Sequence, residues 1–346
     1  MEFAKMLELG KRVYNNKMTT TTDEAGKTIL SDEEAIKALC SKVFDGNGGY
    51  RNFEDFRSFN KLIVEVADFE AQANVQQILD AISDYSKVGR YDTKVYDVNK
   101  QSKISMALSA SASGVDFVRI PANKTQVTAV PQTHQFGVQY SIDRMITDPV
   151  NEFRNAVNYV QEYKVKYIFK KVMETVRAAS LSGKIPATQV HDASNMTLAQ
   201  YRTIEGKLLR YGKNVKPILI ADINFIAALA EKQGNTSNIW LTEELRASLL
   251  HDVNIEQISR SIAIATDNPF TDEANSKVDL DPAEALLLAG GTKSPFRITE
   301  FGELRQASDM PSIEKETVFM KIDMRLDVTL LVGSAMAYLH DDSVIL

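Results

Sequence analysis

Side chains able to do chemistry are scattered along this chain. The four histidines, His134, His191, His251 and His340, lie dozens of residues apart, and none sits in an H-E-x-x-H or H-x-H arrangement. A metal ion needs donors that converge from fixed spacings, and no such spacing occurs. The single cysteine, Cys40, lies on an amphipathic stretch and reads as a small buried apolar residue rather than a nucleophile. No G-x-G-x-x-G follows a strand, and neither G-x-x-x-x-G-K-[ST] nor G-x-S-x-G is present. The nearest approach to a phosphate loop is Gly290-Gly291 with Lys293 and Ser294, where a plain turn is the preferred reading over an anion held by backbone amides.

Two acidic pairs invite an acid–base reading, Asp341-Asp342 and Asp323 with Asp327. The latter two share one face of an extended stretch at a separation of about 13 Å. That exceeds the spacing at which two carboxyls flank a glycosidic bond. Arg325 lies between them, so a neutralised solvent face is the simpler account. Lys164, Lys166, Lys170, Lys171 and Arg177 spread round one long predicted helix with Glu162 and Glu174 among them. They read as a solvated or intersubunit face in preference to a nucleic-acid face. No catalytic, cofactor-binding or metal-ligating residue is assigned, and an enzyme is not expected.

The elements are clearer than the chemistry. In DPVNEFRNAVNYVQEYKVKYIFKKVMETVRAA, residues 148–179, Asp148 is suited to cap free amides and Pro149 to open the first turn. Val150, Phe153, Val157, Val160, Ile168, Val172 and Val176 form an apolar stripe, and Gly183 and Pro186 stop the helix. Lys164 interrupts the stripe, so a coiled coil is disfavoured and a strut packed on a sheet is expected. Ser31 to Glu34 and Thr197 to Gln200 are capping boxes that open shorter helices. A helical region spans about 53–82 and another begins at Thr242, while Ile218–Ala221 and Leu286–Leu288 read as buried strands. The polar run NNKMTTTTDEAGKT reads as an arm or a mobile turn, and ALSASASG has little side chain to bury. Near the end, Ile322, Met324, Leu326, Val328 and Leu330 alternate with Lys321, Asp323, Arg325, Asp327 and Thr329, the pattern of a strand with one dry and one wet face. The expected mate is the strand at 136–141. That pairing makes one domain discontinuous, with a compact segment of short helices and buried strands inserted between its halves.

The 346 residues, 44% hydrophobic and 25% charged, suffice for one large domain or two. A net charge of −6 disfavours general nucleic-acid adsorption. One cysteine excludes an intrachain disulfide, and no apolar run is long enough for a membrane span. The first residues carry an acid and no apolar core, unlike a signal peptide.

Taken in order, these pieces resemble the major capsid protein family of tailed bacteriophages, whose fold is shared with encapsulin shells. The blocks THQFGVQYSIDRMITDPVNEF and FMKIDMRLDVTLLVGSAMAYL carry the resemblance, together with the order of elements along nearly the whole chain. It implies an α+β fold with an N-terminal arm at 1–85 and an extended β-hairpin loop at about 94–132. A discontinuous peripheral domain would occupy 133–185 and 306–346, with its spine helix at 149–179. An inserted axial domain would occupy 186–305. The implied function is self-assembly into the icosahedral head around double-stranded DNA, in the virion, after assembly in the host cytoplasm. Implied partners are further copies in pentamers and hexamers, with scaffolding, portal and decoration proteins, and DNA through weak non-specific contacts; no membrane or cofactor is implied. Some members join subunits through a loop lysine and an asparagine; Lys124 stands in a suitable region, but no motif marks its partner, so the crosslink is not carried over. Some also carry a long scaffolding segment before the loop. This chain is short there, which implies a separate scaffolding protein or none. The alternatives are an encapsulin-like compartment, a tail or connector component, and an α/β enzyme with its site in 186–305.

Overall fold

The computed structural model describes residues 3–18, 20–22, 28–45, 49–99, 124–234, 257–266, 268–291, 294–308 and 317–346. The predicted helix at Thr242, His251, Lys293 and residues 100–123 of the expected loop lie outside them.

Helix α1 (Phe3–Tyr14) buries Met6, Leu9 and Val13 along one side. A hairpin of β1 (Thr20–Thr22) and β2 (Thr28–Ser31) leads into α2 (Asp32–Val43). The predicted capping box forms there: the Ser31 hydroxyl accepts from the Glu34 amide, and the Glu34 carboxylate accepts from the Ser31 amide at 3.0 Å. Helix α3 (Phe53–Ile82) runs straight into β3 (Ser83–Val88). Strands β4 (Val95–Asn99) and β5 (Lys124–Thr128) pair antiparallel as a separate ribbon. After β6 (Gln132–Ser141) and the short α4 (Ile142–Thr147) comes α5 (Pro149–Leu181), of 33 residues. At about 1.5 Å per residue it is roughly 50 Å long. The Asp148 side chain caps it by accepting from the Asn151 amide. It runs to Leu181, two residues past the predicted end. Gly183, at φ +68°, is the first position that needs the left-handed region, and the Ser182 amide still closes onto the Ala178 carbonyl.

The chain continues through β7 (Val190–Asp192), α6 (Leu198–Tyr211) with its Thr197–Gln200 capping box, β8 (Ile218–Ala221), α7 (Ile223–Gly234), β9 (Gln257–Ile258) and β10 (Ser261–Ala265). It ends with β11 (Glu284–Leu288), β12 (Phe296–Phe301), β13 (Arg305–Ser308), β14 (Thr317–Leu330) and β15 (Met336–His340).

The strands form two larger sheets. In the first, β14 is central: β6 runs antiparallel along one side from Thr317↔Ser141 to Leu326↔Gln132. On its other side β13 and β12 pair with it in tandem, and β3 adds to β12 in parallel. The second sheet has the order β7-β15-β11-β8-β10-β9.

Helix α5 ties the two sheets together. Its first half packs Val150, Phe153, Ala156, Val157 and Val160 against β6 and β14 and against α1, α2 and α3. Its second half packs Ile168, Val172 and Val176 against Phe296 and Leu326 of the first sheet and Leu286, Leu288 and Met336 of the second. The opposite face of the second sheet carries Leu219, Leu287 and Leu339 against α6 and α7. Covered on both sides, β11 is buried at every residue, which explains the apolar run that follows Glu284.

Several expectations need correction. The segment expected as an N-terminal arm, 1–85, packs into its own subunit: Val13, Ile36, Val43, Phe56 and Phe59 are fully enclosed in the core shared with α5. Strand β12, expected with 186–305, lies in the first sheet, and β15, expected with 306–346, lies in the second. Thr329 was placed on the wet face but is buried; its hydroxyl donates to Asp327 at 2.5 Å, which removes the cost of burial. On α3, an aromatic residue, Phe69, is half exposed, with the Lys11 ammonium 3.3 Å from its ring centre.

Candidate functional site

The apolar stripe of α5 contains one charge. Lys164 follows Val157 and Val160 and precedes Ile168 at helical spacing, and its side chain is 1% exposed. An ammonium buried to that degree requires compensating charge. Asp68 of α3 supplies it: Lys164 Nζ donates to Asp68 Oδ1. Glu300 of β12, equally enclosed, places its two oxygens 3.0 and 3.2 Å from the same nitrogen. Lys87 of β3 donates to Asp68 Oδ2 at 3.2 Å. The parallel pairing of β3 and β12 sets Lys87 opposite Glu300, so this sheet edge and two helices converge on one point.

The electrostatics separate the two carboxyls. Burial drives Glu300 well above the ordinary carboxylic range, and the neighbouring Asp68 charge adds to the effect. Burial also acts on Asp68, but Lys164 and Lys87 outweigh it and hold Asp68 below its usual value. Burial lowers Lys164, with Asp68 opposing. The two carboxyls are thus driven in opposite directions, Glu300 toward its protonated form and Asp68 toward its charged one.

Three further buried acids anchor the fold. Glu284 accepts from Arg177 Nε at 2.6 Å and from the Tyr338 hydroxyl at 2.5 Å, fixing the end of α5 to the second sheet. Glu205 accepts from Ser259, Arg260 and Ser261 and so fastens the β9–β10 turn to α6. Asp341 accepts from the Asn195 and Met196 amides at 2.6 and 2.8 Å and from Lys232 at 3.1 Å.

The residues singled out from the sequence do not converge. His134 lies against Tyr167 with ring centres 4.5 Å apart, and burial and then Lys171 push its pKa down. It lines a cleft of about 530 Å³ between α5 and β10, together with Tyr163, Lys171, Ile264 and Pro269. His191 is in β7, and His340 of β15 contacts Asp192 at 2.7 Å and Asp342 at 3.4 Å. Cys40 is buried and its thiol is pushed up to about 12. Among the described residues no group of three or more His, Cys, Asp or Glu could hold a metal ion. Gly290 and Gly291 form a packed turn: a Cβ on Gly290 would stand 2.1 Å from the Lys216 carbonyl. Asp341-Asp342 is a backbone anchor beside an exposed acid, and Asp323 and Asp327 lie along β14 with Arg325 between them. Of the five basic residues assigned to a solvated face, Lys164 is the exception: it is buried, and Arg177 is committed to Glu284. Asp68, Lys87 and Glu300 were missed. The available signal was the charge in the α5 stripe, which demanded a buried acid from elsewhere.

A family model described as "SPbeta prophage-derived putative capsid protein YonB" matches residues 5–340. The chain belongs to that family of phage capsid proteins. Within the YonB family, the SPbeta prophage-derived uncharacterized protein YonB of Bacillus subtilis (strain 168) is 35% identical over 348 residues, covering 100% of this chain and 99% of that one. Among solved structures, the chain is similar to the asymmetric unit of the bacteriophage PhiM1 mature capsid, at a TM-score of 0.48 and 8% identity over 76% of this chain and 86% of that one. It is also similar to a virus-like particle from Pyrococcus furiosus, at 0.43 and 13% over 80% and 98%. A third is from Mycobacterium phage Adephagia, at 0.45 and 11% over 77% and 89%.

Proposed function

We propose that this chain is the major capsid protein of a tailed phage, self-assembling through pentamers and hexamers into the icosahedral head that encloses double-stranded DNA. The observation that carries the reading is membership of a capsid-protein family along residues 5–340. In this reading α5 is the spine helix, the first sheet belongs to the peripheral domain, and the second sheet, with β15, belongs to the axial domain. The β4–β5 ribbon is the base of the extended loop. The net charge of −6 suits a wall that encloses DNA without adsorbing it. Large apolar side chains left uncovered in the single subunit, Tyr91, Val130, Tyr159 and Leu181, are available for burial between copies. Assembly would take place in the host cytoplasm, with scaffolding, portal and decoration proteins as further partners.

Negative-stain microscopy and light scattering of the overexpressed chain, with a co-expressed scaffolding partner where needed, should show closed particles. Particles recovered after prophage induction should hold nuclease-protected DNA. A chain that stays monomeric under all these conditions refutes the reading, and closed particles that hold protein cargo and no DNA replace it with a compartment shell.

A further inference from the structure

We propose that Lys164 Nζ and the side-chain carboxyl of Asp68 condense, with loss of water, to an amide that joins α5 to α3 within one subunit, with Glu300 carrying the protons. The reacting nitrogen and the carboxyl are already in contact, and each is held by a different rigid element. Such placement removes most of the entropic barrier to a bimolecular step. The site is closed to bulk water, with Lys164 and Glu300 each 1% exposed and Asp68 at 12%. Exclusion of water disfavours the reverse hydrolysis. It also penalises the charged reactants and not the neutral amide they become.

The cluster supplies each part the step needs. The Lys164 ammonium passes a proton to Asp68 Oδ1, leaving an amine and a carboxylic acid. The amine attacks Asp68 Cγ, and the negative charge that grows on Oδ2 faces the Lys87 ammonium at 3.2 Å. Glu300, whose oxygens lie 3.0 and 3.2 Å from Nζ, takes a proton from that nitrogen and returns its own to the departing Oδ1. One C–N bond forms, one C–O bond breaks, water leaves, and Glu300 ends as the acid it began as. No oxidant or co-reactant is needed. Glu300 is a catalytic residue by this account, and Lys87 stabilises the developing oxyanion.

The other buried acids show what is special here. Glu284 is paired with a guanidinium, which stays protonated and is not a nucleophile. Asp341 meets Lys232, but that lysine is about one-third exposed, so its amine is not enclosed away from water. The linkage also differs from the loop-lysine crosslink of some capsid families, because both partners belong to the same chain.

Intact mass spectrometry of the purified full-length chain, denatured before injection, tests the proposal. The expected mass is that of the sequence less one water. Trypsin should spare the bond after Lys164 and release one branched peptide that contains both Lys164 and Asp68. Glu300→Gln and Lys164→Arg should restore the full mass while circular dichroism remains that of a folded chain. If those variants are insoluble, the wild-type chain decides alone. A folded wild-type chain that keeps its full mass through prolonged incubation overturns the proposal. So does a water lost on an unbranched peptide, which would mark a cyclised aspartate instead.

Discussion

Replacing Leu326 by Ala tests how the helix and the sheet hold each other. Leu326 is 2% exposed and belongs to the cluster in which Ile168, Val172 and Val176 of α5 meet Phe296. It lies opposite Gln132 on β6 and Glu300 on β12, so its backbone is fixed on both sides. Truncation removes three carbons, about 2.4 kcal/mol of transfer free energy at about 0.8 kcal/mol each. A cavity cost adds to this where the surroundings cannot relax, and here a doubly paired strand faces a helix of 33 residues anchored at both ends. A loss near 3 to 5 kcal/mol is expected, in the upper part of the range for such substitutions. Lys321→Ala, on the opposite face and opposite Gly137, should cost less than about 0.5 kcal/mol. Urea unfolding of assembly-arrested subunits, followed by circular dichroism, measures both. Equal losses, or a larger one for Lys321→Ala, would show that β14 does not present alternate residues to α5 and would refute the packing argument.

Other outcomes follow from single residues. Ser31→Ala deletes the hydroxyl half of a capping box and should destabilise the subunit by about 1 kcal/mol in the same unfolding assay. Cys40, enclosed and with its thiol raised to about 12, should react with a disulfide reagent only after unfolding, at the rate of global opening. Burial lowers the pKa of His340, but Asp192 and Asp342 outweigh it and raise the folded value above that of the unfolded chain. Its stabilising effect is therefore complete below about pH 6.5 and is lost as pH rises through the folded pKa. His340→Gln should flatten the stability profile in that window. Gly290→Ala should lower soluble yield, because the new methyl group meets the Lys216 backbone carbonyl rather than a side chain that can move away.

What was legible in the sequence was what repeats locally. The two-residue period expected over 321–330 holds as far as Leu326 and then reverses at Val328 to Leu330, whereas the stop at Gly183 and both capping boxes, which involve only neighbours in the chain, appear at the predicted places. The pairing of β6 with β14 followed from two alternating stretches that each needed a partner. Sheet membership was not legible for β12 and β15. β15, MAYLH, is a short apolar run, and a run buried on both faces gives no clue to which neighbour covers it; β12, FRITEF, buries Thr299 and Glu300 along with its apolar residues, so its pattern names no dry face. β3, with the sequence SDYSKV, shows no clear strand pattern and is recruited by β12 from more than 200 residues away. The buried cluster failed for a similar reason. Asp68 and Glu300 lie 96 and 136 residues from Lys164, and the basic residues round α5 hid the one that points inward.

The position of β15 has a consequence for synthesis on the ribosome. The strand lies between β7 and β11, and β7 has no other partner among the described strands. Residues 336–340 are translated after every other strand of that sheet, so β11 must wait with one edge open while the rest of the chain emerges. A nascent chain released anywhere before Met336 lacks an inner strand, not an edge, and leaves the backbone groups of β11 that pair with β15 unpaired along one side. Such a product resembles a late folding intermediate and is a target for chaperones and proteases.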